Sequence, residues 1–401
     1  MRMERRTLYT LGGLAAAIAL CAVVFGRAPK AAASSRVPSD PAEVLETLPG
    51  TTDARTRRVA SLRRALAANP RDLRAAVILA RLDIQLARER SDPRYLGHAQ
   101  AALAAWWNAP SPPIDVLVLR ATIEQSLHDF EAALADLDRA LAVEPDHVQA
   151  LLTRAVVLGV RGRYEEALAT CARLEGKTTP LVIAVCETQV ASVTGHARSA
   201  MERLEAVMAA SSERLSPDEE AWARSSLGEY AQRAGELDSA EKHFRRALEI
   251  DPEDGYVRAA LADLLLDRDR AAEVVTLLAG REANDTLLLR LALAEKRTNS
   301  PKAQADIDAL GARFDASRLR GDAVHRREEA RFELALRGDA RRALDLARAN
   351  WDVQKEPWDA RIYLEAARAA KSKDAAAPIL AWLDRTRLED PFLAKVAAEL
   401  R

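Results

Sequence analysis

The chain has 401 residues, with 59 basic against 60 acidic side chains and a formal charge of −1. A protein this close to neutral lacks the net basic surface that non-specific nucleic-acid binding requires, so no nucleic-acid partner is expected. Apolar residues make up 49% of the chain and aromatic residues only 4%. This composition favours an all-helical protein, and no segment shows the alternation typical of strands.

The N-terminus has the features of a membrane or export segment. Three arginines within the first six residues precede an uncharged stretch, residues 8–26, which is long enough to span a bilayer as a helix. Because basic residues favour the cytoplasmic side, residues 1–27 are expected to form a signal-anchor or transmembrane helix, with the rest of the chain on the periplasmic or extracytoplasmic side. Cleavage among the small residues at 30–35 would instead release a secreted periplasmic protein. Residues 28–53 are expected to be a flexible linker.

From residue 54 onward, a pattern of helix pairs recurs along the chain. Ala121 and Ala155 occupy the same place in successive first helices, and Ala133 and Ala167 the same place in the second helices, with an identical spacing. The stretches "HDFEAALADLDRALAVEPDH", "GRYEEALATCARLEGKTTP" and "GELDSAEKHFRRALEIDPED" align on this spacing. The period of about 34 residues, with two helices per unit, is typical of a tetratricopeptide repeat.

The chain resembles the tetratricopeptide-repeat family. In the best copy, Gly228 and Ala240 are small where the two helices of a unit would cross, and Phe244 is the large residue between neighbouring units. Gly235 would form the turn between the helices, and Pro252 would end the second helix. These five positions match the pattern of small and large residues in the family.

The resemblance implies an all-α fold, a right-handed α-solenoid of stacked helix-turn-helix units over residues 54–401. The best-formed repeats are expected at 114–280, and the units at both ends are worn. Worn end units suit a solenoid, because the end of the array faces water instead of a neighbouring unit.

No group of residues has the spacing of a catalytic or metal-binding motif. The six histidines are scattered, and the sequence contains no HExxH or Cys-x-x-Cys motif, no P-loop and no glycine-rich nucleotide fingerprint. We therefore expect no catalytic residue, metal, cofactor or small-molecule substrate, and a protein that is not an enzyme. A catalytic domain within residues 281–401 would require a cleft with convergent polar groups.

Cys171 and Cys186 form a candidate disulfide. Cys171 lies on the second helix of one unit and Cys186 on the first helix of the next, and these helices pack side by side in the family's fold. An oxidising compartment would favour the bond. The alternative is that both cysteines are small buried packing residues.

Arg120 and Arg154 lie one repeat length apart, at a position of the first helix where the family usually has leucine. A charge at a half-buried position needs a partner, and Glu187, at the same position of the next unit, makes Arg154–Glu187 a candidate buried ion pair. Two alternatives are that both arginines extend to water and that they receive an acidic ligand.

In this family the first helices line an inner, concave wall where partner peptides bind. The resemblance therefore implies a partner-binding groove, which lacks the cluster of Lys, Arg and Asn that grips a terminal carboxylate. Its middle is apolar, and Trp222 and Tyr256 would anchor an apolar segment of a partner. An alternative is that these residues pack inside a tight superhelix. The candidate groove residues are Gln149, Leu152, Val156, Val185, Gln189, Trp222, Ser225, Glu229, Arg233 and Tyr256.

These observations together predict a non-catalytic scaffold or assembly factor in the cell envelope, which binds another protein or peptide and contacts the membrane through its N-terminal helix. The alternative function is an accessory, chaperone-like subunit. Such a subunit would present an unfolded apolar peptide or apoprotein to an envelope maturation enzyme, as in cytochrome c maturation.

Overall fold

The structure, a computed structural model, describes residues 53–90, 92–211, 215–321 and 325–401. The chain divides into two compact units, residues 1–57 and residues 58–401. Of the first unit only residues 53–57 are described, and there Asp53 accepts hydrogen bonds from the backbone and hydroxyl of Thr56. The anchor helix predicted over residues 1–27 lies outside the described residues, as does all but the last residue of the linker predicted over residues 28–53.

The described residues form helices and contain no strand. In chain order the helices are α1 (Ala54–Ala68), α2 (Leu73–Arg90), α3 (Arg94–Ala102), α4 (Ala104–Trp107), α5 (Ile114–Ser126), α6 (Phe130–Val143), α7 (Val148–Val160), α8 (Tyr164–Ala172), α9 (Pro180–Val193), α10 (Ala197–Ala210), α11 (Pro217–Arg233), α12 (Leu237–Ile250), α13 (Gly255–Asp267), α14 (Ala271–Leu278), α15 (Asp285–Arg297), α16 (Ala303–Leu319), α17 (Arg326–Phe332), α18 (Ala340–Trp351), α19 (Pro357–Ala369), α20 (Ala377–Thr386) and α21 (Pro391–Leu400). A π-helical stretch, Glu333–Arg337, continues α17, and a 3-10 turn, Asp374–Ala376, precedes α20.

Helices α5 to α18 form consecutive pairs, in which the odd-numbered helix comes first. The two helices of a pair pack against each other, and each first helix also contacts the first helix of the next pair. We call the surface formed by α5, α7, α9, α11 and α13 the first-helix face. The pairs stack into a helical-repeat solenoid, as the sequence predicts.

Small residues allow the close crossing of the helices within a pair. In the α11–α12 pair, a Cβ added at Gly228 would overlap the ring of Phe244, which is completely buried. Gly235, in the turn between the two helices, has a φ of +80°, a conformation that side chains other than glycine rarely adopt. The predicted roles of both glycines are confirmed.

The hydrophobic core consists of four clusters of buried residues, which follow one another along the repeat array. The largest extends from Leu181 to Leu336, and the most C-terminal contains residues from Ala330 to Leu400. Each cluster is built from neighbouring pairs, as expected for a repeat array, in which a unit buries its apolar surface against the next unit.

Candidate interaction surface

All ten candidate groove residues lie on four first helices, α7, α9, α11 and α13. Trp222 and Tyr256 are exposed, to 39% and 64% respectively, near the N-terminal ends of α11 and α13. They lie one repeat length apart and so occupy the same position of successive units. Gln149 and Gln189 are also exposed on this face. A large exposed aromatic side chain is a typical anchor for a partner protein.

Other candidate groove residues are less accessible. Leu152, Val156 and Ser225 are half-buried, and Val185 is completely buried. The prediction is wrong for Val185, because α9 is packed between α7, α8, α10 and α11 and is apolar on nearly all sides. Its side chain therefore supports the core and cannot contact a partner.

Glu229 and Arg233 link three successive first helices. The Arg233 guanidinium donates to Oγ of Ser192 on α9 at 2.7 Å and to the Glu229 carboxylate at 2.8 Å. The Tyr256 hydroxyl, on α13, donates to the other oxygen of Glu229. These polar groups therefore hold α9, α11 and α13 in register, and the ring of Tyr256 remains exposed beside them.

The predicted ion pair between Arg154 and Glu187 is not formed. Arg154 donates to Asp138 at 2.8 Å and to Oγ1 of Thr170 at 2.7 Å, whereas Glu187 pairs with Arg203. The prediction is wrong because both side chains are directed to second helices, and neither reaches along the row of first helices.

A regular pairing replaces the predicted one. Arg154 and Thr170 are 16 residues apart, as are Glu187 and Arg203, and each pair joins the first and second helix of one unit. Arg120 follows the same rule with Asp136: a nitrogen–oxygen distance of 2.6 Å joins the two side chains. The sequence feature that could have indicated these pairs is the fixed spacing between two polar residues that can bond to each other.

Arg120 is too enclosed to receive an acidic ligand. Its guanidinium donates to the Asp136 carboxylate and to the backbone oxygen of Trp107, and the residue is 8% exposed. The hydrogen bonds from this guanidinium to Asp136 raise the pKa of Arg120 further above its ordinary value. The structure therefore gives Arg120 a partner within its own unit.

In the structure Cys171 and Cys186 are joined by a disulfide, with their Cα atoms 5.7 Å apart. Cys171 lies on α8 and Cys186 on α9, and both residues are buried. The bond closes a loop across the turn between two units. The oxidation state of this pair in the cell stays a prediction.

Part of the first-helix face is covered by the chain itself. Asp263 and Asp267, one turn apart on α13, pair with Arg331 and Arg361 from the C-terminal helices. The Asp263 carboxylate also binds Arg290 at 2.8 Å. Burial alone would raise the pKa of Asp263, but the guanidinium groups of Arg290 and Arg331 lower it below its ordinary value.

Two further observations on the described residues concern metal binding and membrane crossing. In that part of the chain, no group of three or more His, Cys, Asp or Glu side chains is placed to hold a metal ion. Nor does any helix there combine the length and the apolar character needed to cross a membrane.

The architecture defines a class of protein, the α-helical repeat solenoids. Two family profiles described as "Tetratricopeptide repeat" match the sequence, one at residues 118–180 and the other at residues 189–298. These two ranges therefore contain tetratricopeptide repeats, and the family predicted from the repeat period is confirmed. Proteins built from such repeats generally act as scaffolds for protein–protein interaction. No curated protein matches the sequence.

The chain is similar, at low sequence identity, to several solved structures. A tetratricopeptide repeat protein from Parabacteroides merdae is 16% identical, with a TM-score of 0.39, over 63% of this chain and 98% of its own. The APC/C hetero-tetramer Cut9-Hcn1 is 13% identical, with a TM-score of 0.40, over 86% of both chains. A human IFIT1 dimer with PPP-AAAA is 11% identical, with a TM-score of 0.43, over 81% of this chain and 85% of its own.

Proposed function

We propose that this chain is a non-catalytic scaffold or assembly factor of the cell envelope, which binds a partner protein through its first-helix face. The observation that carries the proposal is the pair of exposed aromatic side chains, Trp222 and Tyr256, at equivalent positions of successive units. In a repeat array such a pair presents two anchors to one partner segment.

The character of the surface beside this pair supports a partner with an apolar segment. On α7 and α9, the candidate groove residues that remain accessible are uncharged: Gln149, Leu152, Val156 and Gln189. The first charged residue among the candidate groove residues, in chain order, is Glu229, and its charge is neutralised by Arg233. An uncharged surface next to aromatic anchors suits an extended or helical apolar segment.

The same surface also suits the alternative function. In that function the chain presents an unfolded apoprotein to an envelope maturation enzyme. The two functions differ in the state of the partner, because a scaffold binds a folded protein and a presenting subunit binds an unfolded one. Binding of the captured partner before and after its denaturation separates them.

Crosslinking in intact cells, followed by identification of the captured protein, tests the proposal. Trp222→Ala and Tyr256→Ala are expected to lose the captured partner, whereas Tyr256→Phe, which keeps the ring, retains it. Leu319→Ala is the matched control, because Leu319 is 90% exposed at the end of α16 and lies outside the first-helix face. Capture of the same protein by all four variants would contradict the proposed surface.

The envelope location depends on the uncharged stretch at residues 8–26. The full chain is expected in the membrane fraction, and a chain lacking residues 1–27 in the soluble fraction. Equal distribution of the two chains between the fractions would contradict the membrane attachment.

A further inference from the structure

The charged residues are unevenly distributed along the repeat array. Residues 58–81 contain six arginines and a single acidic residue, whereas residues 82–401 contain 45 basic and 54 acidic side chains. The array is therefore basic where it begins and net acidic over the rest of its length. Such an asymmetry indicates an interaction of the first unit with a partner of opposite charge.

Helix α1 packs on the array through one apolar side. Val59, Leu62 and Leu66 follow one another at helical spacing and so lie on the same side of the helix. Val59 is 7% exposed, and Leu66 packs against the most N-terminal of the four hydrophobic clusters. Arg64 lies on the opposite side of the helix and Arg58 beside the apolar side, and both residues are exposed. The apolar side therefore holds α1 on the array and leaves these arginines accessible.

Among the described residues, four exposed arginines of the first unit form no ion pair. The neighbouring acidic residues have other partners. The Asp72 carboxylate accepts a hydrogen bond from the backbone nitrogen of Ala75 at 3.0 Å, and the buried Asp83 lies 3.3 Å from Arg63. We call the four arginines the basic end of the array: Arg58, Arg64, Arg71 and Arg74.

The basic end lies around the turn between α1 and α2. Arg71 lies in this turn, Arg64 one helical turn before the end of α1, and Arg74 in the first turn of α2. Arg58 lies about 9 Å farther along α1. No large hydrophobic side chain is exposed within residues 58–81. The basic end therefore presents charge without the apolar or aromatic anchors of a protein interface, whereas binding to lipid headgroups requires only charge.

The chain outside the structure leads from this unit to the predicted membrane anchor. Helix α1 begins at residue 54, directly after the linker predicted over residues 28–53. A flexible linker of that length has a root-mean-square span of about 30 Å, so the predicted anchor would keep the basic end close to the bilayer. Guanidinium groups form charge-assisted hydrogen bonds with phosphate, and basic clusters beside a membrane segment bind anionic lipids.

We propose that the basic end binds the headgroups of an anionic lipid bilayer and holds the first unit of the array against the membrane. The contact is electrostatic and is weakened by salt, so it adds to the predicted anchor and does not replace it. The inference rests on the proposed function in one respect, because the membrane attachment brings the basic end to the bilayer.

Energy transfer measured on the full chain tests the lipid binding. A donor dye is attached at position 61, which is exposed on α1, in a chain with Ser61→Cys and Cys21→Ser, and lipid headgroups carry the acceptor dye. The vesicles contain either neutral phosphatidylcholine alone or phosphatidylcholine mixed with anionic phosphatidylglycerol. Transfer is expected to be stronger on the anionic vesicles and to fall to the neutral value at about 0.5 M salt, because salt screens the charges.

Paired variants relate the energy transfer to the basic end. Arg58→Gln with Arg64→Gln is expected to lower the ratio of docked to undocked chain by about tenfold or more, because each arginine near an anionic surface contributes about fivefold. Arg58→Lys with Arg64→Lys keeps the charge and should retain the docking. The matched control, Arg245→Gln with Arg246→Gln, removes the same charge from exposed positions of α12 and should leave the ratio unchanged.

Equal transfer on the two kinds of vesicle would overturn the inference, and so would equal effects of the two glutamine pairs. If transfer is equal and a protein crosslinks in intact cells to a photoreactive side chain at position 61, the basic end binds an acidic protein instead. Failure of the full chain to float with neutral vesicles would count against the membrane attachment in the proposed function. In that case flotation with anionic vesicles would still support the lipid binding, and flotation with neither would overturn it.

Discussion

The Glu124 side chain is largely buried, but its carboxylate lacks a complete set of hydrogen-bond partners. Its neighbour Arg120 directs its guanidinium to Asp136, and the Arg120 nitrogen nearest to Glu124 is 3.9 Å from the carboxylate. One carboxylate oxygen of Glu124 is buried without a hydrogen-bond partner. Burial, and next the charge of Asp136, raise the pKa of Glu124 from 4.5 to about 7.

This shift makes the stability of the chain depend on pH. Below about pH 4.5 Glu124 is protonated in the folded and the unfolded chain, so its contribution to stability is fully present. As pH rises to about 7 the unfolded chain ionises first, and the free energy of unfolding falls. Glu124→Gln is expected to remove this fall, worth about 2 to 3 kcal/mol between pH 5 and pH 8. Urea unfolding of both chains at pH 5 and pH 8 measures it, and an equal fall in the two chains would contradict the assignment.

Gly228 tests the close crossing of α11 and α12. Gly228→Ala places a Cβ against the ring of Phe244, and overpacking of this kind lowers the free energy of unfolding by about 1 to 3 kcal/mol. Gly159→Ala is the control, since a Cβ at Gly159 on α7 meets nothing within 4 Å. The control should be neutral or stabilising, and Phe244→Leu should restore part of the stability of Gly228→Ala in urea unfolding. Equal effects of the two alanine variants would be evidence against the close crossing.

At the scale of helices, polar contacts between the two helices of one unit explain why the predicted Arg154–Glu187 ion pair is not formed. Polar side chains of the first helix reach the second helix of the same unit, as Glu187 reaches Arg203. The sequence alone suggests Arg154–Glu187, because both occupy the same position of adjacent units. Which of two nearby helices a long side chain reaches depends on the crossing geometry of the backbone, so residue spacing alone does not decide between the predicted pairing and the observed one.

The disulfide between the adjacent helices α8 and α9 leads to a prediction about the number of free thiols and the stability of the chain. In the denatured, unreduced protein, one reactive thiol is expected from the three cysteines, that of Cys21. Replacing Cys171 and Cys186 by serine should lower the free energy of unfolding by about 3 kcal/mol, since the bond closes a short loop. The Cys21→Ser chain is the control and should keep the stability of the wild type. Three reactive thiols would show that the bond is absent.

At the scale of the whole molecule, the sequence predicted the repeat array and not the contacts that cover part of it. Repeat contacts join residues within one or two units, so the order of small and large residues, such as Gly228 and Phe244, encodes them locally. The contact of Val160 with Lys355 joins segments that are several repeats apart in the sequence, and no periodic pattern marks it. For this reason the sequence does not show that the C-terminal helices cover part of the first-helix face, as they do where Arg361 pairs with Asp267.

Site-specific photocrosslinking tests most directly the central claim, that the first-helix face binds the partner. A photoreactive residue is placed at position 222 on α11 or, as the control, at Lys242 on α12, the second helix of the same pair, where the side chain is exposed. In intact cells a defined partner is expected to crosslink to position 222 and not to position 242. Crosslinking of that partner at position 242 alone, or equally at both positions, would contradict the account.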